Sequence, residues 1–131
     1  LERMSAYALK HRLNVPALKK TAEAAPLLLH AYIGERVARK RYGIDDPELL
    51  SAIRKHTLGD RTMSKLDRLL YVADSCSEDR RYPGVAALRR RAHEDLDAAF
   101  KACVRQKLAF AKSSGGWLHP MTEALWNSLR G

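Results

Sequence analysis

The chain has 131 residues, 46% hydrophobic and 7% aromatic, which suits one domain built on an aliphatic core. Two cysteines, Cys76 and Cys103, exclude a disulfide framework. Charges interrupt every apolar run, which excludes a signal peptide or membrane span, so a cytoplasmic protein with no membrane partner is expected.

A net charge of +9 favours an anionic partner, a nucleotide first and nucleic acid second. The basic residues are spread along the chain. Only Arg89-Arg90-Arg91 forms a tight run, and Glu94, Asp95 and Asp97 follow it, as on a solvated helix face.

Taken in order, Glu2 to His11 reads as a short helix with Met4, Ala8 and Leu9 inward. Asn14 can cap a second helix over Ala17 to Ala25, with Pro16 suited to its first turn. Pro26 starts a third helix running to about Arg41. Leu27, His30, Gly34, Val37 and Arg41 share one of its stripes. Gly34 lies one turn after His30, which suggests close approach of another group, and Gly43 is placed to end the helix. Asp45 and Glu48 have capping-box spacing around Pro47. Leu49, Ala52, Ile53 and His56 follow at i, i+3, i+4 and i+7, so His56 falls on the apolar face, and Gly59 ends that element.

The stretch from Met63 to Asp74 reads as the central helix, capped by Thr62 or Ser64. Met63, Leu66, Leu69, Leu70 and Ala73 form its apolar stripe, and Asp74 falls on the same inward face. Ser77 to Gly84 is a polar loop. A long helix is predicted from about Val85 to Lys112, broken by Gly115-Gly116, and a last helix opens at His119-Pro120. Nothing alternates with period two over a useful length, so the fold class is all-α, a single domain over 1–131 with six or seven helices.

A carboxylate on an inward face must be hydrogen-bonded, paired or metal-bound. Asp74 can pair with an arginine such as Arg80. It can also meet His30 and His56, because helical bundles build metal and anion sites from side chains on facing helices. Imidazole with carboxylate suits zinc, iron or manganese. These three groups are expected to face a common cavity.

Several motifs come in a characteristic order: Leu28-Leu29-His30-Ala31, His56-Thr57-Leu58-Gly59, Met63-Ser64, Val72-Ala73-Asp74 and Arg80-Arg81-Tyr82-Pro83-Gly84-Val85, then His119-Pro120-Met121-Thr122-Glu123-Ala124. From about Leu27 onward the chain resembles the YqeK-like branch of the HD-domain phosphohydrolases. The resemblance implies an HD-type helical bundle that cleaves diadenosine tetraphosphate symmetrically to two ADP, using two metal ions, commonly iron. It implies that His30 and His56 bind the second metal and that Asp74 completes the first. It implies catalytic roles for Asp74 and His56, and substrate-binding roles for Arg80, Thr57 and His30 near the phosphates.

Members of that family also carry an earlier histidine and a His-Asp doublet. This chain has no His-Asp pair, His11 precedes Arg12, and Ser77 stands where the family has glutamate. The expectation is an N-terminally incomplete HD bundle, poorly active by itself. Its uncovered apolar groove would favour a homodimer. The competing expectation is an inactive helical module that binds nucleotides or nucleic acid through its basic surface.

Overall fold

A computed structural model describes residues 1–130, which form eight α-helices with no strand among the described residues. They are α1 (Glu2–Lys10), α2 (Leu18–Ala24), α3 (His30–Tyr42), α4 (Pro47–Lys55), α5 (Lys65–Cys76), α6 (Val85–Glu94), α7 (Leu96–Ser113) and α8 (Pro120–Arg130). The all-α class holds. One helix more than predicted arises because the long helix expected from Val85 to Lys112 is two helices. Asp95 turns to an extended backbone, φ −152°, and its carboxylate accepts from the Ala98 N–H at 3.0 Å, capping α7. Leu88 keeps helical phase with Ala99, eleven residues on and buried in the same cluster, so periodicity alone hides the break. The turn lets α6 fold back onto α7, and both feed one core.

Other boundaries also differ from the sequence reading. Pro26–Leu29 is a 3-10 turn, and α3 begins only at His30. Leu27 is 62% exposed and so drops out of the stripe assigned to it, whereas Leu29, Ala31 and Tyr32 are buried. Asp46, not Asp45, caps α4, accepting from Glu48 N at 2.9 Å. Pro47 occupies the first helical position, which puts its predecessor in extended conformation at the cap. Asn14 does not cap α2, whose N-terminus has Ala17 in a left-handed conformation and no side-chain cap. Gly43 does end α3, at φ +67°.

Ser64 caps α5 through a reciprocal box with Asp67: Asp67 N donates to Ser64 Oγ at 3.1 Å and Ser64 N to Asp67 Oδ2 at 2.9 Å. The face α5 buries is Asp67, Tyr71 and Val72, not the predicted stripe; Leu69 is 50% exposed. Asp67 enters the core because the capping box and Lys55 satisfy part of its carboxylate, with Lys55 Nζ at 3.5 Å from Oδ2.

Two apolar clusters divide the interior. One gathers Tyr71, Val72, Leu88, Phe100, Cys103, Val104, Leu108 and Leu125 from α5 to α8. The other gathers Ala8, Val15, Leu29, Ala31, Tyr32 and Leu58 from the N-terminal elements. Helix α3 packs on α4, α4 on α5, and α5 on α7. A β-carbon at Gly34 would meet Ile53 Cγ2 at 3.5 Å, so Gly34 does lie at a helix contact, though one of ordinary tightness. The turn from His56 to Gly59 lies between the two clusters. Three later residues hold it: Lys107 donates to Thr57 O at 3.1 Å, Thr122 to Leu58 O at 3.1 Å, and Leu125 packs on Gly59.

Candidate functional site

His30 opens α3 and His56 caps the end of α4, so both imidazoles sit where a helix begins or stops. Each donates its Nδ1–H to a main-chain carbonyl three residues back: His30 to Leu27 O at 2.7 Å, His56 to Ile53 O at 2.5 Å. That fixes the tautomer, leaving a lone pair on each Nε2. The two Nε2 atoms face each other at 3.0 Å. Two facing lone pairs repel unless a positive charge lies between them. The Thr57 hydroxyl is also 3.0 Å from His30 Nε2.

This donor set fits a metal ion in part. Neutral imidazoles with Nδ1 bound to carbonyls are the usual form of a histidine ligand. Among the described residues, however, no group of three or more His, Cys, Asp or Glu side chains is close enough to hold one. Two of the three predicted groups therefore meet, and the third does not join them. Asp74 lies in the last turn of α5 with its side chain 40% exposed and its Oδ1 3.6 Å from Arg80 Nη2. Arg80 Nε also donates to the Asp74 main-chain oxygen at 3.1 Å. An inward-facing Asp74 fails with the stripe it was read from, because α5 turns Tyr71 and Val72 to the core instead.

Beside the histidines is a cavity of about 740 Å³, lined by Thr57, Asp74, Arg80 and Lys107 among others. Neither histidine lines it. Thr57 is the wall between them, touching His30 on one side and the cavity on the other. The common cavity expected for all three groups thus holds Asp74, with Thr57 and Arg80, but not the imidazoles. His11 is elsewhere, at the end of α1, accepting from Arg36 at 3.1 Å.

Lys107 was not singled out by the sequence. It sits among Gln106, Leu108 and other ordinary helix residues, with no motif around it. Its side chain is largely buried, with Nζ 3.8 Å above the Tyr71 ring. Burial pushes its pKa down to about 8, opposed by the charge of Asp74. Burial likewise raises the Cys103 thiol to about 11. His119 was read only as a helix start. It is buried, donating from Nε2 to Pro16 O at 2.8 Å and accepting from Met121 N at 3.0 Å.

Arg89 holds the loop that carries Arg80. Its guanidinium donates to Cys76 O at 2.8 Å, Ser77 O at 2.7 Å and Arg80 O at 2.8 Å. Tyr82 secures the same loop by donating to Ser75 O at 2.5 Å. Arg89→Met should cost about 2 kcal/mol in urea unfolding and speed tryptic cleavage after Arg80 and Arg81. Arg89→Lys should recover less than half, because an ammonium lacks the planar fork that reaches three carbonyls. Unchanged cleavage in Arg89→Met would defeat this assignment.

No family model matches the chain. A symmetrical bis(5'-nucleosyl)-tetraphosphatase of Halalkalibacterium halodurans is 35% identical over 102 residues, 78% of this chain and 54% of that protein. The Bacillus subtilis protein of the same description is 33% identical over 104 residues, 79% of this chain and 56% of its own. The chain thus spans about half the length of these curated relatives. A crystal structure from Clostridium acetobutylicum, of a predicted HD superfamily hydrolase involved in NAD metabolism, superposes with a TM-score of 0.88. It is 32% identical, and the match covers 98% of this chain and 67% of that one. At 32% identity and with the helical fold superposing over 98% of this chain, beside relatives at 33–35% identity, the chain belongs to the YqeK-like branch of the HD superfamily hydrolases.

Proposed function

We propose that this chain supplies part of the active centre of a metal-dependent phosphohydrolase that cleaves diadenosine tetraphosphate symmetrically to two ADP. The observation that carries the reading is the pair of Nε2 lone pairs converging at 3.0 Å, both tautomers set by carbonyls. His30 and His56 would hold a divalent or iron ion there. Such an ion supplies a Lewis acid for a phosphoryl oxygen. Asp74 is the further ligand the resemblance implies. It is engaged with Arg80, but an ion pair this exposed is worth about 0–1 kcal/mol, so exchanging Arg80 for a metal costs little. Arg80, once released, offsets charge on the phosphate oxygens. Thr57, next to His30 and on the cavity wall, orients the substrate. The surplus of nine positive charges helps gather a polyanion.

The described residues supply too few ligands for two metals, so the chain by itself should bind metal weakly and turn over slowly. The test compares the 131-residue chain with a form extended by a His-Asp doublet ahead of Leu1. Iron and manganese content and diadenosine tetraphosphate turnover are measured on both. The extended form should be the active one, and His56→Ala in it should lower metal affinity by more than about 100-fold. Metal content indifferent to both His30→Ala and His56→Ala would overturn the reading. Nucleotide binding without turnover in either form would favour the inactive binding module.

A further inference from the structure

A second cavity, of about 520 Å³, opens between segment 13–16, α3 and α4, and it shares no wall residue with the cavity beside the histidines. Tyr32, Arg36 and Arg39 follow one another at four and three residues and so form one stripe of α3. At about 100° per residue, that stripe lies on the opposite side of the helix from His30. Arg54 faces it from α4, and Glu35 and Asp60 complete the polar wall. Arg36 and Arg54 are half-buried, and Arg39 is exposed at the mouth.

Three guanidiniums meet two carboxylates there, and both carboxylates are engaged. Glu35 accepts from Arg54 at 3.0 Å, and Asp60 accepts from Thr62 N at 3.3 Å within its own turn. Arg36 and Arg39 make no ion pair among the described residues. Arg36 donates only to His11 Nδ1, at 3.1 Å, a neutral acceptor that leaves its charge uncompensated. Tyr32 is the more telling group. It is 6% exposed, yet among the described residues its hydroxyl finds no acceptor in the protein. Burial, and then the charge of Asp60, push its pKa up to about 12, so it remains a neutral donor at pH 7. Buried hydroxyls are nearly always hydrogen-bonded. The groups left without a protein acceptor are thus all donors: the Tyr32 hydroxyl and N–H groups of Arg36, Arg39 and Arg54. A carboxylate ligand has two oxygens to offer them. A phosphate group has at least three, and several guanidiniums can share it.

We infer that this cavity is a phosphate site separate from the histidine centre. Arg36 and Arg39 hold the phosphate, Arg54 lends its remaining donors, and the Tyr32 hydroxyl donates to one phosphate oxygen. The cavity is larger than a phosphate ion, and Leu13 and Met121 add apolar wall beside the charged one. The ligand is therefore free phosphate with its water, or the phosphate end of a small phosphorylated metabolite. Binding here uses no metal and goes beyond the reaction proposed above, without depending on it.

The test is calorimetry with inorganic phosphate and with glycerol 3-phosphate, on the 131-residue chain in excess chelator. Metal is then absent, so failure of the histidine pair to bind metal would overturn the proposed reaction and leave this result standing. Both probes should bind. A tighter glycerol 3-phosphate supports the site with a phosphorylated metabolite as its ligand, and a tighter inorganic phosphate supports it with the free ion. Arg36→Gln should weaken phosphate about ten-fold, the loss of one charge-assisted pairing. Tyr32→Phe should weaken it about three-fold, since it removes one hydroxyl and keeps the buried ring. A variant-free reading covers a misfolded Arg36→Gln: saturating phosphate should slow phenylglyoxal modification of Arg36 and Arg39 in the unaltered chain, located by peptide mass mapping. Failure of both probes to bind overturns the proposal. So does phosphate affinity unchanged in both Arg36→Gln and Tyr32→Phe, a loss of phosphate seen with Arg80→Gln instead, or arginine labelling that is the same with and without phosphate.

Discussion

Gly59→Ala should lower the unfolding free energy by about 3 kcal/mol, a large part of what holds a domain of this size folded. Two effects add. Gly59 has φ +74°, a conformation that costs an L-residue about 1–2 kcal/mol. A β-carbon there would also be driven into Leu125 Cδ2 and would touch Tyr71 Cε2 at 3.5 Å and Met63 Sδ at 3.6 Å. Leu125 is itself buried, at 2% exposure, and has nowhere to retreat. Overpacking of this kind costs about 1–3 kcal/mol. Gly43→Ala is the control. Its φ is +67°, but nothing lies within 4 Å of a β-carbon there, so only the backbone cost remains, about 1–2 kcal/mol. Urea unfolding of both variants checks the difference. Equal losses would show that α8 does not press on the turn. Gly59 closes the motif His56-Thr57-Leu58-Gly59, so this motif glycine serves packing: it lets α8 approach the turn that positions His56 and Thr57.

Asp67→Ala should be comparably damaging, by about 3 kcal/mol. It removes the N-cap exchange with Ser64, worth about 1 kcal/mol. It also strips Lys55 of its carboxylate, with both side chains mostly out of water, at 14% and 2% exposure. Removing one member of such a pair leaves a charge that neither water nor a partner fully compensates. Lys55 keeps its bond to Thr62 O at 2.8 Å, so part of the site survives. Asp67→Asn should recover part of the loss, since its amide oxygen can still accept from Ser64 N. The same unfolding experiment decides it. A loss below about 1 kcal/mol for Asp67→Ala would mean that only the cap matters.

Helix type was legible because periodicity near 3.6 and local caps are properties of short stretches. The cap at Ser64, the left-handed glycine ending α3 and the start of α8 near Pro120 are all set by residues within a turn of where they act. The break at Asp95 was less legible, because the apolar phase runs through it and only the return of α6 onto α7 makes a turn there favourable. Which face of α5 is buried was not legible at all. Leu66, Leu69 and Leu70 make the more apolar stripe, yet Asp67 and Tyr71 go inward because Lys55, Ser64 and Phe100 receive them.

The site divides in the same way. The sequence by itself determined that His30 and His56 belong together, since motif order carries that information, and it determined the family. Tertiary structure decided that their Nε2 atoms converge, that Asp74 pairs with Arg80 instead of joining them, and that the partly buried Lys107 reaches the carbonyl of Thr57. Lys107 lies 50 residues from Thr57 in the chain. No local pattern marks a residue whose role comes from the removal of water around its charge, because burial is a property of the packed helices and not of their sequence neighbours.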